Sequence, residues 1–233
     1  MTPTRKIDYQ NVGELTQQLL ARKTTANRFS IDIPVRDMAN AIYASCKAEV
    51  ESRGYCSFDF CNATERHIMA AAEWLCDSKG KPGLMLTGLY GNGKTTLMLA
   101  ICNLINYLFE SDCSLHRMSI QLVDAREIAR VGSREESRQE FMKYVGADML
   151  AIDEVGEEPA EIINFGRIYT PVRDLLVERY KRQKLTIIAT NLVNTKENPQ
   201  LTEHYGARVV DRLREMMKII TFKNPSYRKT DQE

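Results

Sequence analysis

Short apolar runs alternate with helical patterns over the second half of the chain. The segments between these runs carry apolar residues at the spacing of amphipathic helices. Alternating strands and helices predict an α/β fold, in which a parallel five-stranded sheet lies between helices, because parallel strands need crossover connections. We predict the strands at residues 83–88, 119–123, 149–153, 185–190 and 218–222, where the runs are apolar and bounded by turn or polar residues.

The first quarter of the chain has a different pattern, with two helical stretches and no strand-like run. A third helix is expected to begin at Asn62, because Asn62 and Glu65 have the spacing of a capping box. We therefore predict a small helical module over residues 1–62 and a larger domain over residues 63–233. The apolar positions of the first two helices are Val12, Leu15, Leu19, Leu20, Met38, Ala41, Ile42 and Val50.

Composition limits the class of protein. The chain has 233 residues, of which 43% are apolar and 27% are charged, and this is sufficient for a full α/β core. The formal net charge of +1 predicts no overall attraction to nucleic acid or membranes, so a local patch would have to bind any polyanion. We find no apolar signal core at the start and no run near the roughly 18 residues of a membrane span. We therefore expect a cytoplasmic protein that does not enter a membrane.

The six cysteines are scattered and form no paired C-x-x-C motif. Reduced thiols are the expected state of cysteines with this distribution in a cytosolic protein. Cys56, Cys61 and His67 lie close in sequence, but their spacing matches no known zinc pattern, so we do not expect a metal there.

A glycine-rich segment lies directly after the first predicted strand. Residues 88–95 fit the pattern G-x-x-x-x-G-K-[ST], and the strand before them and the helix after them favour a phosphate-binding loop over an ordinary turn. Gly91 and Gly93 permit the tight turn whose N–H groups bind phosphate at a helix N-terminus. Lys94 is expected to reach the β- and γ-phosphates of ATP, and the Thr95 hydroxyl to hold Mg²⁺. The expected nucleotide-binding residues are Gly88, Gly91, Asn92, Gly93, Lys94, Thr95 and Thr96.

Polar residues follow two other predicted strands. Asp153 and Glu154 end the third strand. We expect Asp153 to bind Mg²⁺ through water and Glu154 to polarise the attacking water as a general base. Asn191 ends the fourth strand and would contact that water or the γ-phosphate, unless it only caps the following loop. Because the carboxyl ends of parallel strands share one edge, these side chains and the glycine-rich loop are expected to form one site.

Together with two segments near the C-terminus, these motifs resemble AAA+ ATPases of the DnaC/IstB group. The three motifs described above are shared by most AAA+ proteins. Two segments are more specific to the group. They are residues 206–216, which contain arginines four positions apart, and the sequence Ser226-Tyr227-Arg228. The resemblance covers about residues 62–229. It implies a P-loop AAA+ core, ATP hydrolysis with Mg²⁺, and assembly into a ring or spiral of identical subunits.

The resemblance also implies a role for two arginines. Arg212 is similar to the arginine finger that acts on the ATP of a neighbouring subunit, and Arg208 is a second candidate on the same helix face. The alternative is a surface helix in which the arginines pair with Asp211 and Glu215. Most AAA+ proteins continue into a helical lid, whereas this chain ends shortly after Phe222. We therefore expect no C-terminal lid domain, and hydrolysis that requires neighbouring subunits.

Residues 125–142 occupy the place where initiators and helicase loaders of this family carry an additional helix. Gly132 is expected to end one helix, and Ser133 with Glu136 to form a capping box that begins another. Arginines four positions apart would present phosphate-binding groups to single-stranded DNA. The glutamates between them favour the alternative, a solvated helix with ion pairs. The arginines are Arg126, Arg130, Arg134 and Arg138.

The resemblance favours a DnaC-like loader of a replicative helicase. Its N-terminal module would bind the helicase, while ATP and single-stranded DNA would switch its assembly. Two alternatives stay open. One is an IstB-like transposition helper that binds duplex DNA and a transposase, and the other is an ATP-binding adaptor with little turnover.

Overall fold

The computed structural model describes residues 12–22, 28–54, 57–111 and 119–228. Within these ranges the chain forms helices and strands in the alternating order expected from its sequence. The helices are α1 (Val12–Arg22), α2 (Val35–Glu51), α3 (Asn62–Cys76), α4 (Lys94–Ser111), α5 (Ala125–Gly132), α6 (Arg138–Gly146), α7 (Pro171–Lys181), α8 (Gln200–Tyr205) and α9 (Ala207–Met216). The strands are β1 (Gly83–Gly88), β2 (Ile120–Asp124), β3 (Met149–Val155), β4 (Ile162–Asn164), β5 (Arg167–Tyr169), β6 (Leu185–Thr190) and β7 (Met217–Phe222).

The main sheet has five parallel strands in the order β2-β3-β6-β1-β7. This confirms the predicted sheet, and the bounds of β2, β3 and β7 differ from the predicted ones by one or two residues. The central strands β1 and β6 are buried along nearly their whole length, because helices cover both faces. The loops that follow β1, β3 and β6 therefore meet at one edge of the sheet.

Two helical layers enclose the sheet. Helices α2, α3 and α4 pack on one face, and α5, α7, α8 and α9 contribute to the core on the other face. Met38 and Ile42 of α2 are fully buried in the same core as Trp74 of α3 and Ile101 of α4. The division of the chain after residue 62 stays a prediction. None of the described helices is both long enough and apolar enough to cross a membrane.

Helix α1 differs from the other helices in its exposure. Val12, Leu15 and Leu20 form part of an amphipathic pattern, yet all three side chains are exposed to solvent. Exposed apolar patches of this kind are a common feature of protein interaction sites.

Both capping boxes predicted from the sequence are wrong. The N-cap of α3 is Cys61, whose backbone is extended, so that Asn62 already lies inside the helix and no side chain caps it. Ser133 has helical backbone angles rather than the extended ones of an N-cap, and its hydroxyl donates to the Arg130 carbonyl at 3.1 Å. A short 3-10 turn over Glu135–Ser137 then leads into α6.

Strands β4 and β5 form an antiparallel hairpin that the sequence analysis missed. Phe165 and Gly166 connect them and both have positive φ angles, 47° and 75°. Such a two-residue turn matches the twist of a hairpin. Each strand has only three residues, which is too short for alternation to be distinguished from a loop.

Candidate nucleotide-binding site

The glycine-rich segment forms a tight loop between β1 and α4. Gly88, Gly91 and Gly93 have φ angles of 148°, 73° and 96°, which residues other than glycine rarely adopt. Helix α4 begins at Lys94, with Thr96 in its first turn, so its N-terminal N–H groups face the loop. The loop therefore has the backbone that the sequence predicted for phosphate binding.

The side chain of Lys94 extends from the start of α4 into this loop. Its buried ammonium donates to the carbonyls of Gly88 at 2.8 Å and Leu89 at 2.6 Å, and to Asn92 Oδ1 at 3.1 Å. The buried Asn92 side chain also donates to the Phe222 carbonyl at 3.2 Å, which attaches the loop to β7. Burial lowers the pKa of Lys94 to about 8. The site thus holds a poorly solvated cation, which favours an anionic ligand.

The two predicted magnesium ligands meet at the edge of the sheet. The Thr95 hydroxyl donates to Asp153 Oδ1 at 3.3 Å, and the Glu154 backbone N–H donates to the same oxygen at 2.9 Å. Burial raises the pKa of Asp153, an effect that a bound cation would oppose. A hydroxyl and a carboxylate are the oxygen ligands that Mg²⁺ prefers, so this donor set fits the metal.

A distortion of β3 directs Glu154 away from the sheet. The register with β6 shifts between Ile152 and Val155, and Glu154 has a φ of 55°. Irregularities of this kind occur near active sites, where they direct a side chain out of the regular pleat. Glu154 Oε2 lies 3.0 Å from Arg126 Nη1 at the start of α5. Burial raises the pKa of Glu154, whereas the charge of Arg126 opposes that shift.

The structure adds Glu157, which the sequence analysis missed. Its Oε1 accepts hydrogen bonds from the Tyr90 hydroxyl at 2.8 Å and the Asn191 side chain at 3.3 Å. Its Oε2 lies 3.6 Å from Arg126. The hydrogen bond from Tyr90 lowers the pKa of Glu157, and that from Asn191 adds to the effect. Asn191 therefore lies at the predicted edge, and its contact there is with a carboxylate.

The loop that carries Glu157 is fixed by packing and hydrogen bonds. Glu158 is buried, where it accepts from the Gly156 N–H at 2.8 Å and from the Tyr205 hydroxyl of α8. A Cβ at Gly156 would lie 2.3 Å from Leu192 Cδ1, so only glycine fits there. The carboxylates before and after Gly156 therefore have fixed positions relative to β6 and α8.

Arg208 and Arg212 lie on α9, away from these contacts. The Arg212 guanidinium lies over the Tyr180 ring of α7, 5.4 Å from its centre, and the Tyr180 hydroxyl donates to Glu215 at 2.7 Å. Within the described ranges, neither arginine forms an ion pair or a hydrogen bond with a residue of the phosphate-binding loop. The alternative pairing of these arginines with Asp211 and Glu215 is also not formed there.

The arginines of residues 126–138 do not form one helical stripe. Arg126 and Arg130 belong to α5, Arg134 lies in the connection, and Arg138 begins α6, because the helix ends at Gly132. Arg130 pairs with Glu127, with Nε 2.7 Å from Oε2, and Arg126 pairs with Glu154 as described above. Arg134 and Arg138 are exposed and have no ion pair with any residue that the structure describes.

The cysteines within the described ranges are free thiols, namely Cys46, Cys61, Cys76 and Cys102. Cys56, part of the set of residues considered for a metal, lies outside the described residues, as does Cys113.

Solved structures share this arrangement of sheet and loops. The DnaC helicase loader matches with a TM-score of 0.54 and 20% identity over 71% of this chain and 93% of that chain. The chain has the fold of the DnaC helicase loader. AMPPCP-bound DnaA from Aquifex aeolicus matches with a TM-score of 0.50 and 18% identity over 71% of this chain, which spans about half of that protein (48%).

These similarities confirm the predicted α/β fold, which is that of the DnaC helicase loader. No protein-family model matches the chain, and no curated protein matches it in sequence.

Proposed function

We propose that the chain is an ATP-dependent loader of a replicative helicase. One observation carries the nucleotide part of this proposal: Lys94, Thr95 and Asp153 converge at the carboxyl edge of the sheet. The proposal as a whole combines that geometry with the fold of the DnaC helicase loader. In this function the protein is cytoplasmic and acts as a homo-oligomer.

In this proposal the loop and Lys94 bind the β- and γ-phosphates of ATP. Gly88, Gly91 and Gly93 allow the backbone N–H groups to turn toward an anion. Thr95 and Asp153 hold Mg²⁺, which neutralises phosphate charge during transfer to water.

Glu154 fits the role of general base better than Glu157. Glu157 accepts two hydrogen bonds and has a lowered pKa, which weakens it as a proton acceptor. Glu154 has a raised pKa, and Arg126 is its partner in the described structure. We assign Glu154 to the attacking water and Asn191 to the orientation of the groups around it.

The exposed apolar face of α1 is the proposed contact with the replicative helicase. The double substitution Leu15→Glu and Leu20→Glu is expected to abolish helicase binding, because it places charge where the interface needs apolar surface. The full-length protein is required for this test, since α2 shares the core of α3 and α4. A pull-down with a replicative helicase measures binding, and ATP affinity is expected to stay unchanged.

The matched control adds the same charge to polar positions of the same helix. Gln17→Glu with Gln18→Glu is expected to retain helicase binding. Undiminished binding by the Leu15/Leu20 variant would remove α1 from the interface.

The β4–β5 hairpin supports single-stranded DNA as a ligand of the same protein. Asn164 donates to the Ser133 carbonyl at 2.8 Å, and Arg167 pairs with Glu135 at 2.5 Å, so the hairpin is held beside the arginine-bearing segment. Phe165 at its tip is fully exposed. The structure therefore places an exposed aromatic side chain on the hairpin that contacts the segment around Arg134. The combination of cations with stacking side chains is typical of single-strand binding.

Phe165→Ala is expected to weaken binding of single-stranded DNA about tenfold in the presence of ATP, the scale of one lost stacking contact. Phe165→Trp is expected to retain affinity, because it keeps an aromatic face. Fluorescence anisotropy at several salt concentrations measures the affinity, which should fall as salt rises. Equal affinity of the alanine and tryptophan variants would exclude stacking by Phe165. Preference of the wild type for duplex DNA would favour the transposition helper, and no binding in any state would favour the adaptor.

A further inference from the structure

After β7 the chain turns back across the phosphate-binding loop. The Tyr227 backbone N–H donates to the Gly91 carbonyl at 2.8 Å, and the Asn224 side chain donates to the Asn92 carbonyl at 3.2 Å. A Cβ at Gly91 would lie 2.1 Å from the Ser226 hydroxyl, so the segment contacts the loop directly. Residues 224–228 therefore form a wall of the nucleotide-binding site.

Tyr227 connects this segment to the beginning of α3. Its hydroxyl lies 2.8 Å from the Thr64 hydroxyl and 3.4 Å from Cys61 Sγ. On the other side, a Cβ at Gly93 would lie 3.3 Å from Tyr227 Cε2. The segment is thus held both by the loop and by α3, which fixes the residue that follows.

That residue is Arg228, whose side chain lies beside Gly91 of the loop. Its Cδ lies 3.5 Å from the position of a Cβ at Gly91. The side chain is exposed and forms no ion pair with a residue in the described part of the chain. The Lys94 ammonium lies inside the same loop, where it donates to the carbonyls of Gly88 and Leu89. Two cations therefore lie close to one loop, an arrangement that an anion between them would stabilise.

We propose that Arg228 is a nucleotide-binding residue, which contacts the phosphate groups of the nucleotide bound by the loop. The inference rests on the proposed function, because the ligand is the nucleotide of that same site. A guanidinium is suited to this contact because its planar donors bind phosphate oxygens in pairs. Tyr227 and Ser226 are positioning residues that hold it against the loop.

Isothermal titration calorimetry with ATP, ADP and AMP tests the contact. Arg228→Gln removes the charge but keeps much of the side-chain length, and we expect it to weaken ATP binding about tenfold. The loss is expected to be smaller for AMP, which lacks the β- and γ-phosphates. Arg228→Lys should retain part of the affinity. Thermal unfolding without nucleotide should not change, because the side chain is exposed.

Two reference variants make the outcomes distinct. Arg182→Ala removes an exposed arginine at the end of α7, on the opposite edge of the sheet, and should bind ATP like the wild type. Lys94→Ala should lose at least about tenfold in ATP affinity. If Lys94→Ala shows the expected loss of ATP affinity while Arg228→Gln binds ATP normally, Arg228 has no such role and the proposed function stands. An equal loss for ATP, ADP and AMP would also overturn the phosphate contact. Absence of ATP binding by the wild type would overturn both proposals.

Discussion

Replacing Glu154 with glutamine is expected to lower ATP hydrolysis by about a hundredfold or more, the usual scale for loss of a general base. Glutamine keeps the size of the side chain but does not accept the proton of the attacking water. ATP binding should persist, because Lys94, Thr95 and Asp153 are unchanged in this variant. The protein should therefore accumulate in its ATP-bound assembly.

Glu157→Gln is the matched control, since it makes the same change three residues away at the same edge. Glu157 accepts hydrogen bonds from Tyr90 and Asn191, so we expect its loss to disturb the orientation of these side chains and to reduce turnover much less. Steady-state phosphate release, measured with and without single-stranded DNA, gives the rates, and calorimetry gives the ATP affinity. The reverse ranking of the two variants would assign the base to Glu157, and full activity of both would place it elsewhere.

The sheet was predictable because buried parallel strands appear as continuous apolar runs. β1 and β6 have the predicted bounds. Errors arose where single side chains decide the local structure. Ser133 has the sequence spacing of a capping residue, yet its hydroxyl bonds to a carbonyl of the helix before it. The β4–β5 hairpin was not predicted, because strands of three residues are too short to show an alternation of apolar and polar residues.

Part of the candidate site was equally predictable. Lys94, Thr95 and Asp153 follow strands, and parallel topology brings such residues together. Glu157 and Arg228 lie in loops whose paths depend on distant contacts, and sequence spacing does not encode those contacts. Arg126 was considered for DNA binding and instead pairs with Glu154. Its contact depends on the distortion of β3, which the apolar pattern does not reveal.

Action of Arg212 on a neighbouring subunit stays a prediction, and its position in the structure does not conflict with it. Its guanidinium rests on Tyr180, and no hydrogen bond or ion pair joins it to Lys94 or Glu154 in the described structure. An arginine that completes a phosphate site from another subunit lies on the surface and away from its own loop. Arg208 is exposed one helical turn earlier and is the second candidate for the same role.

Arg212→Ala is expected to bind ATP normally and to hydrolyse it about a thousandfold more slowly, the lower end of the range for an arginine finger. Arg208→Ala should have a much smaller effect if Arg212 is the finger. Arg182→Ala, which removes an arginine from the opposite edge of the sheet, is the charge-matched control and should retain full activity. Phosphate release measures all three variants under conditions that favour assembly.

Mixing two inactive variants separates action on a neighbour from action within one subunit. Arg212→Ala protein supplies an intact Glu154, and Glu154→Gln protein supplies an intact Arg212. At some interfaces of a mixed assembly, the Arg212→Ala subunit contributes the ATP site and the Glu154→Gln subunit contributes the neighbouring surface. Such an interface contains both Glu154 and Arg212, so part of the activity should return. Mixed assemblies are verified by co-purification through a tag on one variant. If they form and turnover does not recover, Arg212 does not act across the subunit boundary.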